Sequence, residues 1–242
     1  MDTLREFHHR RRAKTLQAKR EQEIALVLRE IQRRLPAASL ERRVLEFGAG
    51  SCFQTRAFGQ FGRVTAIDLF LRPPCRSLKG EADLVVASIE QTPFEAQVFD
   101  LVVSNHVMEH LYDLPAAFRE LRRIAKPEAL FAFSMPTRTW LAFAQLAVFS
   151  SRTFLWLSSR GRRVETRSLL TPLGHGAYMH FSDAWRVFNP AQWEKTFQQN
   201  GFKLLDKVPL LFYTPSELLL PPSYRLACLG ICSSMLYLLQ AQ

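Results

Sequence analysis

Short apolar runs alternate with stretches of helical period along most of the chain, and that alternation predicts an α/β fold. Residues 1–36 read as a charged helical arm. Ile24, Leu28, Ile31 and Leu35 recur at helical spacing in its second half, so that half should pack on the domain, with Pro36 as its stop. Val44–Phe47 suits a buried strand, Gly48–Ser51 a tight turn, Cys52–Phe61 a helix, and Arg63–Asp68 a second strand closed by an acid. After a loop at Pro73-Pro74, Leu84–Ala87 reads as a third strand and Phe99–Asn105 as a fourth. Asp113 can cap a helix over Leu114–Lys126, with Pro115 in its first turn and one apolar stripe of Leu114, Ala117, Phe118, Leu121, Ile124 and Ala125. Pro127 should end that helix, and Ala129–Ser134 makes a fifth strand. Asn189-Pro190 opens another helix, with Trp193 and Phe197 one turn apart and Gly201 past its end. Phe202–Phe212 and Ser233–Leu239 supply strands six and seven.

Composition narrows the class. A chain of 242 residues that is 48% hydrophobic suits one packed domain with an elaborated end. The four cysteines (Cys52, Cys75, Cys228 and Cys232) do not make a disulfide framework at this length, so free thiols in a reducing, cytoplasmic setting are expected. Cys228 and Cys232 are spaced like half a zinc site but have no second pair, and no metal is expected. The charged N-terminus lacks the apolar segment of a secretory signal, and no apolar run is long enough to span a bilayer. The run Tyr224–Leu239 is therefore expected in the core. A formal charge of +10 is concentrated in two places: Arg10-Arg11-Arg12 with Lys14, Lys19 and Arg20, and Arg152, Arg160, Arg162, Arg163 and Arg167. Each cluster suits a solvated face, a nucleic acid or an anionic membrane surface.

The chemistry gathers in residues 43–68. Strand, glycine turn, helix, strand and terminal acid follow the grammar of a βαβ nucleotide site. Glycines let the backbone approach a ligand, and an acid at the second strand's end can accept both hydroxyl protons of a ribose. A dinucleotide fingerprint would need a third glycine where Phe53 stands, so a mononucleoside with a short polar appendage fits better. S-adenosylmethionine (SAM) has that form, and Glu46 would sit near its cationic tail.

Glu46-Phe47-Gly48-Ala49-Gly50 resembles the first motif of class I SAM-dependent methyltransferases, usually E/D-x-G-x-G-x-G, with Cys52 in the place of the last glycine. Phe99-Asp100-Leu101-Val102-Val103-Ser104-Asn105, running into His106-Val107-Met108-Glu109-His110-Leu111, resembles that family's F-D-x-V-x-x-N-x-x-x-E-H-x block. The likeness, of the type 11 kind, covers about residues 40–240. It implies a Rossmann-like sheet of seven mostly parallel strands, ordered 3-2-1-4-5-7-6, with the last antiparallel and helices on both faces. The domain would span 37–242, with a substrate-recognition insertion over 136–189. Glu46, Gly48 and Gly50 would hold the methionine end of SAM, with Phe47 and Gln54 in the same set. Asp68 would take the ribose, Leu69, Ser88 and Ile89 would surround adenine, and Asn105 and His106 would lie beside the cofactor. Ser88 stands where the family commonly has an acid for the adenine amine.

Other residues bear on the acceptor. His106-x-x-Glu109-His110 also satisfies the H-x-x-E-H pattern of inverted zinc peptidases, but it begins at a strand end, where a turn and not a continuous helix is expected. Gly174-His175-Gly176-Ala177-Tyr178-Met179-His180-Phe181 is a second candidate segment. His175, with Tyr178 or His180 in support, could take a proton from an oxygen nucleophile, as could His106; an ordinary loop histidine bonded to its own backbone explains His175 equally well. Trp140, Leu141, Phe143, Leu146, Phe149, Phe154, Leu155 and Trp156 make the insertion aromatic and apolar ahead of its arginines. This suits an amphipathic lid or shallow contact with a lipid surface. The expected activity is methyl transfer, on oxygen, to a small or lipid-linked acceptor, by a cytoplasmic protein that could lie on the inner face of a membrane. An RNA methyltransferase using the basic arm ranks second, and a degenerate SAM- or partner-binding fold third. Nothing in the sequence speaks to oligomeric state.

Overall fold

The computed structural model describes residues 2–35, 39, 41–158, 175–178, 180–214 and 222–242. Its strands are β1 (Arg43–Phe47), β2 (Arg63–Asp68), β3 (Ala82–Val86), β4 (Phe99–Asn105), β5 (Ala125–Pro136), β6 (Phe202–Leu211) and β7 (Ser234–Ala241). The helices are α1 (Asp2–Arg34), α2 (Thr55–Phe58), α3 (Leu114–Ile124), α4 (Arg138–Ser158), α5 (Phe181–Val187), α6 (Pro190–Gln199) and α7 (Tyr224–Cys228). One seven-stranded sheet runs β3-β2-β1-β4-β5-β7-β6, with the last strand antiparallel, as the family resemblance implied. Backbone contacts divide the chain into a larger unit (residues 24–135, 191–208 and 236–242) and a smaller one (1–23, 136–190 and 209–235).

In the larger unit β1 pairs in parallel with β2 on one side and β4 on the other. Val44, Leu45, Glu46 and Phe47 are all buried, so both faces of this central strand are covered, as is usual in a parallel sheet. α3 buries its stripe of Ala117, Phe118, Leu121 and Ile124, and the Asp113 side chain accepts from the Ala116 amide to cap it. Phe118 meets Phe197 of α6 and Phe202 of β6 with ring centroids 5.8 and 5.3 Å apart. Each such fully buried ring contributes about 1.5–3 kcal/mol through removal of apolar area from water. Ile24 and Ile31 of the expected set are buried on α1 together with Val27, while Leu28 and Leu35 are only half-buried.

Three expectations are corrected here. The helix expected over Cys52–Phe61 is a single turn, α2, because Cys52 takes the left-handed conformation (φ +55°), which a right-handed helix cannot include. Pro127 does not end α3; it falls inside β5. The β4–β5 register shifts between the Phe99 and Leu101 pairs, and a proline is tolerated at such an irregularity because no ladder amide is needed there. Cys52 and Cys75 are joined by a disulfide, contrary to the expectation of free thiols, while Cys228 and Cys232 are free. Pro36 and the arginines at 160, 162, 163 and 167 lie outside the described residues.

The smaller unit has its own apolar cluster of Leu141, Ala184 and Phe188, with Trp140, Tyr178, Phe181 and Val187 packed against it. Arg138 lies 5.4 Å from the centroid of the Trp185 ring and donates to its carbonyl oxygen. Further along α4, Leu146, Phe149, Phe154 and Leu157 are all exposed. No described helix is long and apolar enough to cross a membrane.

Candidate cofactor site

At the C-terminal ends of β1, β2 and β4 the strand order reverses direction, and open α/β sheets place their ligand crevice at such a point. A cavity of about 540 Å³ opens there, within the roughly 300–1,000 Å³ usual for small-molecule sites. Gly48, the first residue of the turn after β1, lines it. Gly48 and Gly50 have φ of +73° and +54°, and the Gly48 and Ala49 amides both donate to the Ile67 carbonyl, at 2.9 and 3.1 Å. The two glycines are needed for different reasons. A Cβ on Gly48 would stand 2.1 Å from a methyl of Val107, whereas one on Gly50 would meet only Asp68 Oδ2, at 3.9 Å.

Asp68 ends β2 and faces the cavity. Its Oδ2 accepts from the Gly50 amide and its Oδ1 from the Phe70 amide, both at 2.8 Å. A carboxylate offers about four lone-pair sites, so each oxygen can still accept from a ligand hydroxyl. Phe47, Gly48, Leu69, Ser88, Ile89 and His106 line the same cavity, so the structure brings these predicted residues together with Asp68.

Glu46, Gly50, Gln54 and Asn105 do not line it. Glu46, Gln54 and Asn105 form a polar group beside the end of β1. The Thr55 hydroxyl donates to Glu46 Oε2 at 2.5 Å, and the Asn105 amide donates to Gln54 Oε1 at 2.9 Å. Ser134 donates to Asn105 Oδ1. Glu46 is fully buried, and its Oε1 has no hydrogen-bond donor. Burial pushes its carboxyl up to about 7 against the pull of the Thr55 and Gln54 side chains, and the charge of Asp68 adds a smaller push.

His106 turns the chain off β4 at φ +55°, with its amide donating to the Ser134 carbonyl at 3.0 Å. Its Nδ1 lies 3.7 Å from Glu109 Oε1, and His110 Nε2 lies 3.9 Å from the same oxygen. Glu109 is buried, and its Oε2 has no hydrogen-bond partner. Residues 108–110 form a 3-10 turn, so the two histidines of the H-x-x-E-H pattern do not share a face of a continuous helix.

Sequence reasoning missed several residues of this cavity. Glu90 lines it two positions beyond Ser88, whose hydroxyl oxygen accepts from the Glu90 amide at 3.2 Å. The acid sought at Ser88 is therefore present nearby; an alignment allowing a two-residue slip would have found it. Phe70 and Tyr112 also line the cavity although each is more than 80% exposed. The segment behind them is held by Glu120, which accepts from the Thr92 amide and hydroxyl. Arg123, with the Thr92 bonds, holds the Glu120 carboxyl down to about 2.

His175, Tyr178 and His180 belong to the smaller unit. The His175 ring packs against Trp140 and Phe188 (centroids 4.4 and 5.8 Å), and its carbonyl accepts from the Tyr178 amide at 3.2 Å. His180 is exposed and opens α5 without a side-chain capping bond.

The fold and cavity define a nucleoside-binding α/β domain, and the chain belongs to the methyltransferase domain family, which matches residues 16–207. It is 32% identical over 146 residues to a malonyl-[acyl-carrier protein] O-methyltransferase of Halorhodospira halophila, covering 51% of this chain and 46% of that one. It is 26% identical over 166 residues to a ubiquinone biosynthesis O-methyltransferase of Methylocella silvestris, covering 62% and 63%. The chain thus spans about half the length of the curated relatives it matches. Solved SAM-dependent methyltransferases from Aquifex aeolicus (13% identical, 88% and 89% covered, TM-score 0.52) and Mesorhizobium loti (14%, 87% and 95%, TM-score 0.55) share its fold.

SAM is the cofactor of this family, and the residues present fit it. Asp68 retains free acceptor sites, the turn is open at Gly50, and Glu46 keeps one buried oxygen without a donor for a cation to satisfy.

Proposed function

We propose that the chain transfers a methyl group from SAM to an oxygen of a small or carrier-linked acceptor. The observation that carries this reading is Asp68, which is braced by two backbone amides and still has acceptor capacity facing the cavity. When bound, SAM supplies a methyl group already activated on a sulfonium. What remains for this chain is to hold the acceptor oxygen in line with that carbon and to exclude water. Asp68 would take the ribose, Leu69, Ser88 and Ile89 the adenine, and Glu46, Gly48, Gly50, Gln54 and Asn105 the methionine end.

An oxygen acceptor is supported by the relatives named above, which are O-methyltransferases. The acceptor class decides how much proton chemistry is needed. A carboxylate is already ionised near neutral pH, so its methylation needs no base. A phenolic hydroxyl must lose its proton, and His106, which lines the cavity with Glu109 3.7 Å from its Nδ1, would receive that proton. His175 is the alternative base.

A second reading concerns where the acceptor is met. Residues 138–163 hold five arginines and no acid, and α4 exposes Leu146, Phe149, Phe154 and Leu157. Apolar and cationic residues together favour an anionic lipid surface and hence a lipid-linked acceptor. RNA as acceptor draws only on the basic residues of the N-terminal arm.

Methyl-labelled SAM incubated with cell extract tests both readings. Label should enter a small-molecule, carrier-protein or lipid fraction, and mild alkali will release it as methanol from an ester but not from an ether. Label confined to RNA would replace the oxygen-acceptor reading. Liposome flotation with anionic lipid tests the surface, and recovery in the unbound fraction alone removes it.

A further inference from the structure

The glycine turn is tied down by something the family motif does not contain. Position 52, where that motif has its last glycine, adopts φ +55°, so the backbone still takes the left-handed course that a glycine would allow. A residue with a Cβ is disfavoured there, and some other force has to hold it. Cys52 is joined to Cys75 in the 3-10 turn Pro73–Leu78, with Cα atoms 5.1 Å apart. Both cysteines are buried in a small cluster with Ala49, Ala66 and Leu78. Cys75 Sγ also lies 3.3 Å from the Gly50 carbonyl oxygen, which accepts from the Arg72 amide at 2.9 Å. The ring closed by this bond contains β2 and Asp68. It therefore links the turn to the acid through the chain as well as through the Gly50–Asp68 hydrogen bond.

We propose that Cys52 and Cys75 are a positioning pair, whose cross-link holds the cofactor turn in its binding course and whose opening by a dithiol weakens SAM binding. The proposal rests on the reading that SAM occupies this turn. In the opening step a thiolate of the dithiol attacks Cys52 Sγ, forming a mixed disulfide and releasing Cys75 as a thiolate. The second thiol of the reductant then displaces Cys52 and leaves as a cyclic disulfide. Two electrons and two protons pass to the cysteines. Reduced Cys75 can donate its S–H to the Gly50 carbonyl, so the turn is loosened and not released.

The test is SAM titration calorimetry on the full chain, held in glutathione disulfide or in dithiothreitol, with free thiols counted in each. Two thiols are expected in the oxidised chain and four in the reduced one. SAM should bind about tenfold more weakly to the reduced chain, in the usual range for coupled sites. By reciprocity, saturating SAM should then make the pair harder to reduce by about 30 mV, which is that tenfold for a two-electron couple. Cys75→Ser should bind weakly in either buffer. Cys52→Gly should bind with an affinity that no longer depends on redox state, since glycine takes the left-handed course unaided. Equal affinity in the two states overturns the proposal, as do four free thiols persisting in the oxidising buffer; both leave the methyltransferase reading standing. Absence of SAM binding in both states would remove that reading and this one with it.

Discussion

The Gly50 amide donates to Asp68 Oδ2 at 2.8 Å, so the turn that follows β1 and the acid that ends β2 are held as one piece. The ligand does not have to assemble the two halves. In the proposed binding mode its ribose would meet an acid already oriented by the turn.

Asp68→Asn keeps an acceptor for one of the two amides and removes the charge. Hydrogen bonds to a charged group are worth about 1.5–3 kcal/mol each. The SAM dissociation constant should rise by about 10–100-fold on that basis, read by calorimetry. An unchanged constant would place the ribose elsewhere.

Gly48→Ala drives a methyl to within 2.1 Å of the Val107 side chain and forces a left-handed alanine. Overpacking and backbone strain together should cost about 2–4 kcal/mol, seen as a lower denaturation midpoint. Adding Val107→Ala removes the two nearest methyls and should restore part of that loss. Additive losses in the double variant would show that the contact is not the cause.

Glu46 gives stability a pH dependence. Its folded value of about 7 lies above the ordinary 4.5, so the folded chain binds more protons between those values and stability falls as pH rises through them. The fall should total up to about 3 kcal/mol, at roughly 1.4 kcal/mol per tenfold in proton affinity. SAM carries an ammonium that prefers the ionised carboxylate, so its binding should strengthen as pH rises through 7 and release a proton. Denaturant midpoints and calorimetry between pH 5 and 8 measure both trends. Glu46→Gln should flatten them.

His106→Gln separates the two acceptor classes. Loss of a general base typically costs about 10²–10⁴-fold. Turnover of a hydroxyl acceptor should fall by about that range and lose its low-pH limb, while turnover of a carboxylate should change little. SAM affinity serves as the control. Equal losses on both acceptors would make His106 a packing residue.

Much of this was legible because the residues concerned act locally. The run Val44–Phe47, the glycines at 48 and 50 and the terminal acid at 68 each declare a strand, a turn and a strand end through their own conformational preferences. The cap at Asp113 and the stripe of α3 were readable for the same reason. What could not be read depends on residues distant in sequence. Cys52 and Cys75 are 23 positions apart, and only the crossover from β1 to β2 and the turn beyond it brings them together. Glu90 was passed over because the hairpin-like bridge of Ser88 to Gln91 turns the chain and carries the acid two residues further along before it meets the cavity. The burial of Glu46, which sets its proton affinity, follows from the central place of β1 in a sheet covered on both faces and not from its neighbours in sequence.

The two glycines of the turn should have different evolutionary fates. A lineage that abandoned its cofactor would still be obliged to keep position 48 free of a side chain for as long as a valine stands at 107. Position 50 has no such crowding neighbour, so a glycine is kept there by its left-handed φ of +54° and by whatever lies against the turn, and not by a clash. In a sequence of this fold that has lost its ligand, the second position is therefore the one free to change first, since a side chain there meets backbone strain alone, whereas the first meets strain and a clash together.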